Sequence, residues 1–431
     1  MEYLKNQDQE VVDILNRELE RIRGGVELIP SENFVSRAVM EAMGTIMTNK
    51  YSEGYPGKRY YGGNEHVDEV ENLAIERAKQ LFGAEHVNVQ PYSGSPANMA
   101  VFFALMNPGD TFMGLDLNAG GHLTHGSAVN FSGRLFKCEP YNVRPDTGYL
   151  DMDEIREQAK RIRPKMILSG LTAYPREIDF KAFQKIADEV GAYHFADISH
   201  IAGLIAGSVH QSPVPHCDVV TTTTHKTLRG PRGAIIMSKL EDKYHDKLRP
   251  DEKKNLAQLI DFHVFPGMQG GPHDHITTAK AVAFKEALKP SFKNYAQQIV
   301  KNAKRLSEEL MSRDIALTSN GTDNHLMVID LTKSDLTGQG KDIQDALDVV
   351  GIFTNKNTVP YEPASPFKPS GIRIGTPAIT TRGLIEDDMV VIADGIAKII
   401  KNHKSESVRG DVKKSITELC DKYPLYPKLK Y

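Results

Sequence analysis

The two side chains that offer the most chemistry are Asp197 and Lys226. Asp197 closes the run Tyr193-His-Phe-Ala-Asp197, and Lys226 follows Val219-Val-Thr-Thr-Thr-Thr-His-Lys226. Short continuous runs of this kind read as strands covered on both faces. Both residues therefore fall at carboxyl ends of strands, the edge where parallel sheets bind ligands. A lysine there can form a Schiff base with an aldehyde. An aspartate nearby can hold a pyridine nitrogen protonated, which makes the ring an electron sink. Either residue alone is ordinary in an α/β protein, but the surroundings add weight. Thr224-His-Lys-Thr-Leu-Arg-Gly-Pro-Arg-Gly233 puts two arginines, two glycines and a histidine around the lysine, a loop suited to an anion. Ser93-Gly-Ser-Pro-Ala-Asn98 offers hydroxyls and free N–H groups at a helix start, which suit a dianion, with Pro96 fitting the first turn.

The elements that must position these groups alternate along the chain. Strands are expected at 87–90, 111–117, 166–169, 193–198, 219–224 and 234–238, and helices at 96–106, 151–163 and 180–190. The alternation predicts an α/β fold with a mainly parallel sheet and right-handed crossovers. Val11, Leu15, Leu19 and Ile22 predict an amphipathic helix over 7–23, stopped by Gly24-Gly25. Residues 49–63 read as a loop rich in glycine and tyrosine, and 240–262 as a hydrophilic surface excursion. A helix at 295–310 and a strand at 326–331 open a change of texture. The expected division is an N-terminal arm over 1–50, a large domain over 51–285 and a smaller α/β domain over 286–431.

Composition narrows the function classes. The 431 residues carry a formal net charge of −3, so no basic field favours nucleic acid. Cys138, Cys217 and Cys420 are few and widely spaced, which argues against disulfides and structural zinc and fits a reducing, cytoplasmic setting; no metal is expected. No run reaches the ~18 apolar residues of a membrane helix, and the charged first twenty residues are not a signal peptide.

Taken with further motifs, the lysine string resembles that of the serine hydroxymethyltransferase family. The matching stretches are Thr221 to Arg232, Leu28-Ile-Pro-Ser-Glu-Asn33, Asn49 to Gly63, Gly120-Gly-His-Leu-Thr-His-Gly126, Phe265 to Pro272, Gly321 to Leu326, Asn355-Lys-Asn357 and Ser370 to Pro377. They span about residues 25–385 in the family's order. The resemblance implies a large cofactor-binding domain of aspartate-aminotransferase-like, type I architecture and pyridoxal 5'-phosphate as cofactor. It also implies transfer of the serine hydroxymethyl carbon to tetrahydrofolate, giving glycine, in a homodimer with shared sites or a tetramer.

The resemblance also implies roles. Lys226 is the Schiff-base lysine and Asp197 the partner of the pyridinium nitrogen. His122 stacks on the ring, and His200 and Thr172 stand near the phenolic oxygen. Ser93, Gly94, Ser95 and His225 serve the phosphate, joined across a subunit boundary by Tyr51, Gly270 and Gly271. Arg373 clamps the substrate carboxylate, with Ser31 and Tyr61 on the substrate side. Glu53 handles a proton near the serine hydroxyl and the folate, and Leu117, Leu123 and Asn357 contact the folate. The sequence departs from the family's pattern in carrying Thr172 and Pro175 where serines are usual, Asp197-Ile-Ser-His200 for the commoner Asp-Met-Ala-His, and a longer 240–262 segment. A modified pterin carrier, a folate-independent aldolase and a catalytically inactive paralogue remain as alternatives.

Overall fold

The structure, a computed structural model, describes residues 2–431. Its contacts group the chain into two compact units, 35–297 and 1–34 with 298–431. Residues 2–34 thus group with the C-terminal unit, whereas the sequence suggested a separate arm to residue 50. The chain passes between the units within the helix Pro290–Met311.

The 35–297 unit is built on a seven-stranded sheet. Its strands lie in the order His86–Asn88, Ala234–Ser238, Val219–Thr223, Tyr193–Asp197, Met166–Gly170, Thr111–Met113, Lys137–Cys138. The last five in that order are mutually parallel. Ala234–Ser238 is antiparallel to both its neighbours, so His86–Asn88 again runs with the parallel set. The central strands are buried along their whole length, which is why they read as continuous runs. Register places Asp197 beside Gly170 on one side and Thr221 on the other.

Two sequence expectations are corrected. Residues 240–262 are not simply a surface excursion. They include the helices His245–Leu248 and Leu256–Val264, and the second buries Leu256, Leu259 and Ile260. Charged residues around it lower the mean hydropathy of the window and hide the buried face. The 49–63 stretch is not all loop either: Gly54–Tyr55 pairs with Lys58–Arg59 in a two-stranded hairpin.

The core of this unit gathers around Phe102, on the helix Gly94–Leu105. Its ring meets those of Phe112, Phe131, Phe136 and Phe195 at centroid distances of 4.8, 5.5, 5.1 and 6.2 Å. The same helix carries the Ser93–Ser95 turn, so the cluster fixes that turn against the sheet. Replacing Phe102 with Ala should cost about 3–5 kcal/mol of stability, read as a shift in the denaturant midpoint.

In the other unit a three-stranded antiparallel sheet runs Leu326–Asp330, Gly371–Gly375, Asn355–Asn357. Met327, Ile329, Ile372 and Ile374 pack with Ile392 and Ile396 of the helix Glu386–Asn402 in one apolar cluster. Val26–Glu27 pairs in parallel with Ile352–Phe353, which ties the N-terminal segment into this unit.

Candidate active site

Because the strands ending at Asn88, Met113, Gly170, Asp197 and Thr223 all run the same way, the segments that follow them emerge at one edge of the sheet. Those segments carry Ser93, Gly94 and Ser95, then Leu117, Thr172, His200, His225 and Lys226.

Asp197 is buried at this edge, with three donors around its carboxylate. Ser199 N–H donates to Oδ1 at 3.0 Å, while Asn98 Nδ2 at 2.8 Å and His125 Nε2 at 3.2 Å reach Oδ2. His125 Nδ1 accepts the His122 N–H at 3.2 Å, which leaves Nε2 as the protonated nitrogen facing Asp197. Asn98 is itself held, donating to Thr124 Oγ1 at 2.8 Å and accepting from Thr221 Oγ1 at 2.6 Å. Thr124 Oγ1 lies 2.7 Å from His122 Nδ1, which also accepts the Thr124 N–H. Burial alone would raise the Asp197 carboxyl, but the hydrogen bond from His125, with His122 and the Ser199 side chain also close by, outweighs it and holds it well below the usual range. His122, His125 and Asp197 bring possible metal ligands within 4.8 Å of one another. Their side chains are joined, with Asn98 and Thr124, in one hydrogen-bond network.

The lysine loop is fastened next to this network. Thr227 Oγ1 donates to His200 O at 2.8 Å and accepts the Gly203 N–H at 2.9 Å. His225 Nδ1 is buried without a hydrogen bond, and burial, then the charges of Arg232 and Lys226, push the His225 pKa down to about 3, so its imidazole is neutral. Ser93 precedes the helix Gly94–Leu105, and its side chain makes no capping bond. A Cβ on Gly94 would lie 2.8 Å from Thr223 Cγ2, so glycine is what lets this turn approach the strand ends. Thr172 N–H donates to Gly120 O at 2.7 Å, joining that loop to the turn that leads to His122. Leu117 and Leu123, on the same turn, are 41% and 46% exposed.

A second group forms around the hairpin. Tyr51 OH donates to Glu53 Oε1 at 3.1 Å, and the Tyr51 and Tyr61 rings meet edge to face at 4.9 Å. A Cβ on Gly270 would stand 3.1 Å from Glu53 Oε1, and one on Gly271 3.3 Å from the Tyr51 ring. Gly271 O accepts from Tyr92 OH at 2.7 Å, one residue before Ser93.

A serine hydroxymethyltransferase family model matches residues 4–396. The chain belongs to the serine hydroxymethyltransferase family. Serine hydroxymethyltransferases are pyridoxal-phosphate-dependent enzymes of serine–glycine interconversion that use tetrahydrofolate as co-substrate. The mixed α/β fold with its large, mainly parallel sheet is that of type I pyridoxal-phosphate enzymes. Among the described residues, no helix is long and apolar enough to cross a membrane.

The residues present fit a serine hydroxymethyltransferase's cofactor. A buried, ionised carboxylate suits a protonated ring nitrogen. The uncapped Ser93 turn at a helix start and the unsatisfied Nδ1 of a neutral His225 suit a phosphate ester.

The 1–34 with 298–431 unit holds the remaining nominated residues. Arg373 is central in its strand, buried, and donates from Nε to Asn355 Oδ1 at 3.0 Å. Burial lowers its pKa to about 10, so it stays charged at neutral pH. Asn357 lies opposite Gly371 on the neighbouring strand, and Ser31 is half-buried in the turn after Leu28.

Sequence reasoning missed Asn98, Thr124, His125 and Ser199, which surround Asp197 and His122. The available signal was a string of polar residues inside otherwise apolar elements. Asn98 follows Pro96 by two residues in a helix of mostly buried apolar side chains, and hydroxyls occupy four successive positions from Thr221.

Proposed function

We propose that this enzyme transfers the hydroxymethyl carbon of serine to tetrahydrofolate, giving glycine and 5,10-methylenetetrahydrofolate, reversibly. The observation that carries the reading is the buried Asp197 carboxylate, held by three donors at the sheet edge where the Lys226 loop also emerges. When bound, pyridoxal phosphate supplies an electron sink for the electrons of a bond broken at the amino-acid α-carbon.

The chain's own residues then divide the work. Lys226 would supply the amine that holds the cofactor carbonyl and yields its place to the substrate amine. Asp197 would keep the ring nitrogen protonated, with His125 favouring its ionised form and Asn98 helping to orient it. His122 would stack on the cofactor ring, while His200 and Thr172 would hold the proton at its phenolic oxygen. Ser93, Gly94, Ser95 and His225 bind the phosphate. Arg373 binds the substrate carboxylate through its planar fork, beside Ser31. Glu53 would pass a proton at the serine hydroxyl, with Tyr61 next to it. Leu117 and Leu123 cover the apolar part of the folate and Asn357 binds a polar edge.

Tyr51, Glu53, Tyr61, Gly270 and Gly271 form one cluster, which supports their acting as a unit on the site of a second copy in a homodimer or larger assembly. The three cysteines are all unpaired, which supports a reducing, cytoplasmic setting.

Arg373→Ala should lower kcat/KM for serine by about 10²–10³, mostly through KM, with Arg373→Lys in between because a point charge cannot make the two-point contact. Steady-state kinetics over serine concentration checks this. The function is tested with serine carrying a labelled hydroxymethyl carbon. Label recovered in methylenetetrahydrofolate supports the reading. Label released as formaldehyde regardless of folate would make the protein an aldolase, and transfer only to a modified pterin would change the carrier.

A further inference from the structure

Glu53 sits in a short irregular stretch, yet its backbone is fixed at three consecutive carbonyls. Arg59 Nη1 donates to Ser52 O and to Gly54 O, both at 2.9 Å, on either side of Glu53. The Tyr60 N–H donates to Glu53 O at 2.9 Å. Gln90 Nε2 makes a further bond to Gly54 O at 2.9 Å.

The groups doing the holding are themselves held. Arg59 Nε donates to Asp68 Oδ1 at 2.9 Å and Nη2 to Glu71 Oε2 at 2.7 Å. Asp68 and Glu71 are three residues apart on one face of the helix Glu65–Phe82. Gln90 Nε2 also reaches Glu71 Oε1 at 2.8 Å. Ser52 Oγ lies 2.8 Å from each oxygen of Asp274. The Arg59 side chain is 4% exposed, so its fork is committed to these partners and not to solvent. At Gly54, φ is +103°, and a Cβ would come within 2.3 Å of Lys58 O, so only glycine closes the turn.

We propose that Arg59 is a positioning residue for Glu53, with Gln90 as a second clamp. The buried guanidinium grips the carbonyls on both sides of Glu53 and so sets where its carboxyl stands against the serine hydroxyl. The inference rests on the proton-handling role given to Glu53 above. Its physical basis is that a loop carboxylate otherwise explores many positions, whereas a displacement of roughly 1 Å at a reacting group can cost on the order of 10² in rate. Lysine in place of Arg59 keeps the charge but cannot bridge two carbonyls and two carboxyls at once.

The test is a double-mutant cycle in the full-length enzyme with its cofactor: Arg59→Lys, Glu53→Gln and the pair, measured for kcat and KM with serine and tetrahydrofolate. Thermal melting and light scattering of each variant accompany the kinetics. Arg59→Lys should lower kcat by about 10–100-fold with KM for serine changed less than about threefold, and in the Glu53→Gln background it should cost no more than about twofold further. Gln90→Met leaves the Arg59 contacts with Asp68 and Glu71 in place, and it should show the same loss of effect in the Glu53→Gln background. It carries the cycle if Arg59→Lys does not fold. A slow Glu53→Gln enzyme on which the second substitution acts at full strength would overturn the positioning role while leaving the assigned function of Glu53 intact. Wild-type kcat in Glu53→Gln would instead remove that function, and the inference with it.

Discussion

Lys226→Ala is expected to abolish turnover of serine, with a loss of about four orders of magnitude or more, because the covalent tether and the group that releases product disappear together. The fold should survive. The loop is anchored by Thr227 to His200 O, by the Gly230 N–H to Thr224 O at 2.7 Å and by the Thr224 N–H to Gly233 O at 3.0 Å, none of which uses the lysine side chain. The residues proposed for the phosphate and the ring nitrogen are unchanged, so the variant should still retain part of its pyridoxal phosphate. Small primary amines should restore a fraction of the rate, since they replace the missing function without restoring the side chain. The measurements are steady-state turnover with and without methylamine, the melting transition and the bound cofactor per chain. A variant that turns over serine at the wild-type rate would remove Lys226 from the chemistry.

Asp197→Asn is expected to lower kcat by about 10³, the scale seen when a charged group that stabilises a developing charge is neutralised. The shape is nearly unchanged, but the negative charge is lost. Three N–H donors converge on the wild-type carboxylate, and an amide offers them one acceptor oxygen and an NH2 group. At least one donor must then be left unpaired, which should cost about 1–3 kcal/mol of stability. Cofactor should also wash out more readily on dialysis. Because the carboxyl is held well below its usual range, the wild-type enzyme should show no loss of this charge anywhere in the neutral or mildly acidic range. A kcat within a factor of about two of wild type would contradict the electrostatic account, since it would mean that the negative charge does no work.

How far the sequence led depends on the kind of signal each feature leaves. Tyr193–Asp197, Val219–Thr223 and Ala234–Ser238 were legible because strands buried on both faces must be continuous runs, and the structure places each within a residue of its expected bounds. The expected strand over 111–117 stops at Met113, where Gly114 is packed so closely that a Cβ would lie 2.6 Å from His125 O. Lys137–Cys138 is two residues long, too short for any periodicity to mark. The helix Leu256–Val264 was masked by the charges before it. Its start was nonetheless written in the sequence, since Asn255 and Gln258 form a reciprocal capping box.

The site shows the same division. Asp197 and Lys226 stood out because a strand end is a position that pattern reading can locate, and both emerge at one edge. Asn98 and His125, which hydrogen-bond to Asp197, come from a helix and a turn far away in the chain, and nothing in local spacing says which carboxylate they will meet. Likewise nothing in the glycine- and tyrosine-rich 49–63 stretch singles out Arg59. Only the folded hairpin reveals that it holds both carbonyls beside Glu53.

The most direct test of the central claim is the visible absorbance of the dialysed protein titrated with glycine, before and after tetrahydrofolate is added. The account predicts a cofactor band that responds to glycine and a new long-wavelength absorbance that requires glycine and tetrahydrofolate together. A protein with no visible band even after incubation with pyridoxal phosphate would contradict the account at its base.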